Sequence, residues 1–131
     1  MAVENNGMAI EFANDKFKDN REVVMAALKQ NSLSLEFVSF RLKNYKDIVS
    51  FAVKNNSYAI KYASERLKNY KNLIMMAVKQ DEWTLKFASD RLKNDPEVVM
   101  EACKNDTNIF IYVGDKLKEK YPTVDQLIRN K

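Results

Sequence analysis

The chain has 131 residues, 46% of them apolar and 31% charged, with only two glycines and two prolines. So few breakers cannot supply the tight turns of an all-β fold, and they favour helices joined by short polar loops within one domain. The net charge of +4 permits nucleic acid or an acidic protein surface as a partner and demands neither, and no apolar run is long enough to cross a membrane.

The opening segment M-A-V-E-N-N-G has neither a basic nor an apolar region of the kind a secretory signal needs. A single cysteine, Cys103, fits a reducing compartment, so a cytoplasmic setting is expected. Ala2 and Val3 match Ala27 and Leu28, so the chain reads as beginning inside a repeat. From there a 25-residue period governs everything. Leu42, Leu67, Leu92 and Leu117 stand 25 residues apart with Phe17 in the earlier equivalent place, and each is followed by lysine (Lys18, Lys43, Lys68, Lys93, Lys118). Ala27, Ala52, Ala77 and Ala102 form a second column, and Phe12, Phe37, Tyr62, Phe87 and Tyr112 a third.

Each period predicts two amphipathic helices. Helix B, for example Glu82 to Lys93, buries Leu85, Ala88 and Leu92, and the residue before it is always Asx: Asn6, Asn31, Asn56, Asp81, Asp106. A short side-chain acceptor there satisfies orphan N–H groups, worth about 1 kcal/mol each. Helix A, for example Pro96 to Asn105, carries Val98, Val99, Ala102 and Cys103 on one broad face and opens at Asn or Asp (Asn20, Asp95). The last helix A, Pro122 to Asn130, keeps the apolar columns through Val124, Leu127 and Ile128. The expected fold is therefore all-α: a right- or left-handed α-solenoid of helix–turn–helix repeats with about ten short helices. It fills one domain over residues 1–131, with half-repeats at 1–18 and 119–131.

Segments such as L-K-N-D-P-E-V-V-M-E-A-C-K-N-D and Y-A-I-K-Y-A-S-E-R-L-K-N resemble the tandem repeats of the domain-of-unknown-function 4116 family, over nearly the whole chain. The resemblance implies a helical repeat scaffold and supplies no catalytic residue. It also brings the family's occurrence in bacterial proteins, secreted effectors of intracellular pathogens among them, which adds host cytosol as a setting. The chain departs from its own pattern at Phe40, where other units have Asp or Glu, and at Asn108 and Gly114, which read as an end cap.

Histidine is absent, which removes the commonest general base and metal ligand. Cys103 shares a column with Leu28, Val53 and Val78 and reads as core rather than nucleophile. No phosphate loop, serine elbow or calcium loop occurs, so no enzyme, cofactor, metal or small-molecule substrate is expected. The surface columns say more. Lys16, Arg41, Arg66, Arg91 and Lys116 align, as do Lys29, Lys54, Lys79 and Lys104. They read either as ladders for phosphates or an acidic partner, or as cations complementing helix C-termini. Arg41, Arg66 and Arg91 lean towards contact, because arginine is kept there in a lysine-rich chain. A second apolar stripe on helix B includes Leu33 with Phe37, Tyr58 with Tyr62, and Trp83 with Phe87, each pair leading to its arginine four residues on. The column Met8–Leu33–Tyr58–Trp83–Asn108 varies too much for a tight core and is expected to be partly exposed. The leading expectation is a non-catalytic scaffold, an adaptor or small inhibitor, gripping a protein or nucleoprotein through Tyr58, Trp83, Arg41, Arg66 and Arg91. The alternative is RNA or single-stranded nucleic acid held on the basic columns.

Overall fold

The computed structural model describes residues 7–129, and 77% of the described residues are helical with no strand among them. Ala2, Val3, Asn6 and Asn130 lie outside the described residues, as does the side chain of Met8. Helix A forms as the pattern predicts, at Arg21–Gln30, Lys46–Asn55, Lys71–Gln80 and Pro96–Cys103. Its apolar face is buried, with Val24, Ala27, Ile48, Val49, Ile74 and Val98 at 0–1% exposure. Asn20 and Asp95 cap their helices, Asn20 accepting from the Val23 N–H at 3.1 Å and Asp95 from Glu97 and Val98. Tyr45 and Tyr70 hold the same position without a side-chain cap bond.

Helix B does not form as one helix, so the described residues hold fifteen short helical segments where about ten were expected. Its first half is a 3-10 helix in every repeat: Gly7–Phe12, Ser32–Phe37, Ser57–Tyr62, Glu82–Phe87 and Thr107–Tyr112. The cause is local. Asn31, Asn56, Asp81 and Asp106 each accept from the N–H two residues on, at 2.9–3.0 Å, a tight Asx turn that starts the segment. The buried side chains then fall three apart (Leu35 and Val38, Ile60 and Ala63, Leu85 and Ala88), the spacing that a three-residue turn stacks on one side. Val38, Ala63, Ala88 and Val113 turn extended and end it. A second short segment follows, at Asp15–Lys18, Leu42–Asn44, Glu65–Lys68, Asp90–Lys93 and Asp115–Lys120. It buries the leucine column, Leu42, Leu67, Leu92 and Leu117 all being 5% exposed or less.

The chain divides into two compact units, residues 1–67 and 68–131. In the first, Arg21–Gln30 packs against Lys46–Asn55, and the 3-10 segment Ser32–Phe37 packs on those before and after it. In the second, Lys71–Gln80 packs against Pro96–Cys103, which meets the closing helix Val124–Arg129, and Glu82–Phe87 packs on Thr107–Tyr112. Within each unit, helix A lies on helix A and 3-10 turn on 3-10 turn. The closing helix is shorter than its predicted span. Thr123 and Gln126 cap it reciprocally, and Leu127 is buried while Ile128 is 47% exposed, so the apolar column does not continue through Ile128.

Candidate functional site

The break in helix B decides what the arginine column does. Arginine follows the break, on a different segment from the aromatic four residues earlier, so the expected clusters of Arg41 with Phe37, Arg66 with Tyr62 and Arg91 with Phe87 do not sit on one helical face. Each guanidinium reaches back to the preceding repeat instead. Arg66 donates to the Oδ1 of Asn44 at 2.9 Å and to its carbonyl at 2.7 Å. Arg91 does the same to Asn69, at 2.9 and 2.8 Å. Arg41 grips Asp19 at 3.0 Å and extends its other nitrogen to the Tyr45 hydroxyl at 2.8 Å. Hydrogen bonds from Arg41 and Ser39 hold the Asp19 carboxyl below its ordinary value, and Asp19 in turn raises Arg41.

A serine completes each clamp. Ser39, Ser64 and Ser89 donate to the same Asx oxygen at 2.6–2.7 Å, and their hydroxyls accept from the N–H of Leu42, Leu67 and Leu92. Their backbone N–H groups reach the carbonyls of Lys18, Lys43 and Lys68 at 2.9–3.1 Å. The arginine column is thus a set of repeat-to-repeat fasteners before it is anything else. Ion pairs add to it at the start of helix A: Arg21 with Asp47, and Lys71 with Asp95 at 3.0 Å and Glu97 at 3.3 Å. Burial alone would raise the Asp95 carboxyl, but Lys71 and two backbone N–H groups outweigh it and hold it low. The lysine after the leucine is also structural where its bond is seen: Lys43 donates to the Glu36 carbonyl and Lys118 to the Ile111 carbonyl, at 2.9 and 3.1 Å, closing the end of the 3-10 turn.

What these fasteners leave open is a groove beside them, one in each unit. In the first unit Phe40, Lys43, Asn44, Lys61, Tyr62 and Glu65 line a cavity of about 510 Å3. In the second, residues 50 positions on, Asp90, Lys93, Asn94, Ile111, Tyr112 and Asp115, line a cavity of about 790 Å3 together with Arg91 and Lys116. Each groove exposes one large apolar side chain. Phe40 is 90% exposed and Ile111 is 64% exposed, whereas the tyrosines behind them are half-buried. Lys43 lies 5.5 Å from the centre of the Phe40 ring, and Lys61 lies at the same distance from the Tyr62 ring.

The 25-residue register has a counterpart in a known family. The sequence model of the domain of unknown function DUF4116 matches four overlapping segments, residues 1–43, 29–68, 45–86 and 70–118. The chain belongs to this family. Neither curated proteins nor solved structures include a match to it.

Within this DUF4116 array the other expected site residues have definite places. Tyr58 is half-buried, its N–H bonded to Asn56. Trp83 is half-buried too, its ring edge-on to Tyr112 with centroids 5.9 Å apart, so it braces a wall of the second groove. Leu33 matches them and Asn108 is exposed, as a partly exposed column requires. In the Phe37 column, Phe12 is 86% exposed and Phe37, Tyr62, Phe87 and Tyr112 are half-buried. Cys103 is 3% exposed, and burial pushes its thiol up to about 11, far from a reactive thiolate. Sequence reasoning missed two features. The serine column was a signal, an N-cap residue three before Leu42, Leu67 and Leu92 and inside a supposed helix. Ile111 was another, since its column is otherwise Glu11, Glu36, Lys61 and Lys86.

Proposed function

We propose that this chain is a non-catalytic α-solenoid scaffold that binds another protein through its repeat grooves, as an adaptor or as an inhibitor that covers a surface of a larger complex. The observation that carries this reading is the 90% exposure of Phe40 in the lining of a groove that Tyr62 also lines. An exposed ring in that position costs hydration free energy unless a partner covers it, and aromatic anchors in partly formed pockets are where interface energy concentrates. Trp83 belongs to the same reading as a brace for Tyr112, and Arg41, Arg66 and Arg91 as fasteners that hold the groove walls in place.

The second reading, RNA or single-stranded nucleic acid, has its own support: Lys29, Lys54 and Lys79 are exposed at the ends of their helices. Capture of partners from cells, with and without nuclease, separates the two. Protein capture that survives nuclease, is lost with Phe40→Asp plus Ile111→Lys, and is kept with Lys29, Lys54 and Lys79 changed to Gln supports the protein scaffold. Capture lost with nuclease, or with the triple lysine change alone, rejects it.

A further inference from the structure

We propose that the groove of the first unit takes an acidic protein segment, seating an aromatic or other bulky apolar side chain against Phe40 and Tyr62 with carboxylates beside it. This deepens the protein-binding reading and rests on it. The charge at the rim argues for it. Lys43 and Lys61 bring two ammonium groups to the lining against the one carboxylate of Glu65. Both ammoniums sit over ring faces at 5.5 Å, so a side chain that meets the rings meets the positive charge as well. Lys43 is also tethered to the Glu36 carbonyl at 2.9 Å, which fixes its position before any ligand arrives and reduces the ordering cost of binding.

The second groove shows what the first has gained. Its residue equivalent to Phe40 is Asp90, and its residue equivalent to Lys61 is Ile111. The first groove therefore sets a second lysine beside its exposed apolar side chain, whereas the second groove keeps Lys93 at the place of Lys43 and carries both Asp90 and Asp115 in its lining. Two substitutions thus leave the first groove with one carboxylate in its lining where the second has two. A cavity of about 510 Å3 lies within the range, roughly 300–1,000 Å3, in which pockets enclose compact groups.

The test uses the full chain and three capped peptides, Asp-Asp-Phe-Asp-Asp, Lys-Lys-Phe-Lys-Lys and Asp-Asp-Ala-Asp-Asp, with oligouridylate as the nucleic-acid probe. Binding is read by NMR shift titration. The Asp-flanked Phe peptide should shift Phe40, Lys43, Lys61 and Tyr62 and bind about tenfold more tightly than either other peptide. Phe40→Asp should weaken it by about tenfold or more, and Lys61→Ile by about threefold, the size of an exposed ion pair. Both variants copy residues that the second groove already accommodates, so folding is preserved, and the amide spectrum checks this. Equal binding of the Lys-flanked peptide at the same residues overturns the acidic preference while leaving the protein-binding reading standing. Absence of binding by the acidic peptide overturns the proposal, and binding of oligouridylate alone overturns both.

Discussion

Two junctions in the second unit solve the same problem with different atoms. At Ser89 the hydroxyl accepts from the Leu92 N–H and donates to Asn69, while Arg91 locks Asn69 from outside. At Gly114 there is no hydroxyl, Lys116 stands in place of arginine, and the Oδ1 of Asn94 accepts from the Leu117 N–H directly, at 3.0 Å. The Gly114 N–H still reaches the Lys93 carbonyl at 2.8 Å, so the backbone fastener is kept. Glycine follows from that arrangement: a Cβ at position 114 would overlap the Asn94 carboxamide. A helix start must have its N–H groups satisfied, and the chain meets that need either from within the repeat or from its neighbour. The second solution omits the guanidinium, which makes Gly114 the more weakly fastened junction.

The largest test of that difference lies in the leucines each junction positions. Leu92→Ala should cost roughly 2–5 kcal/mol in denaturant unfolding, as buried leucines do. Leu117→Ala should cost less, because its segment lacks the arginine clamp and can open locally. Equal losses would mean the two junctions are equally tight. Next comes Gly114→Ala, which displaces Asn94 and leaves the Leu117 N–H uncapped, for about 1–2 kcal/mol. Gly114→Ser should recover most of that loss, since a hydroxyl there can take over the bond as Ser89 does. Smaller again is Ser89→Ala, at about 1 kcal/mol. The smallest effect is on pH dependence, at the first unit's equivalent junction. A carboxyl held below its ordinary value, as Asp19 is, stabilises the fold above that value and stops doing so as pH falls through the lowered one. The loss should therefore appear only below about pH 4 and shrink in Asp19→Asn, which copies Asn44 and Asn69 and leaves only the share that Asp95 contributes.

The leucine, alanine and Asx columns made the repeat, the helix A face and its core legible from sequence, because a strict period leaves the buried positions no freedom. The split of helix B was not legible from hydrophobic spacing. Leu85, Ala88 and Leu92 fit an α-helical stripe as well as they fit a 3-10 turn followed by a short helix, and all three are buried either way. The signs that distinguish the two are the Asx turn at the start and the capping serine three before Leu42, Leu67 and Leu92. That serine's further bond to a residue 20 positions earlier is one that no local pattern contains. The same oxygens of Asp19, Asn44 and Asn69 receive Arg41, Arg66 and Arg91, which stay exposed at the surface while they hold the preceding repeat. Phe40 was legible as a departure from an acidic column, whose other members Asp15, Glu65, Asp90 and Asp115 are all exposed as well.

The salt response of partner binding tests the scaffold reading most directly. For a captured partner, affinity measured from 50 to 200 mM salt should change little, with Phe40→Asp plus Ile111→Lys removing most of it at every salt concentration. A fall of roughly 10³-fold over that range, with the double variant binding as well as the native chain, would place the contact on the lysine columns and contradict a protein-binding groove.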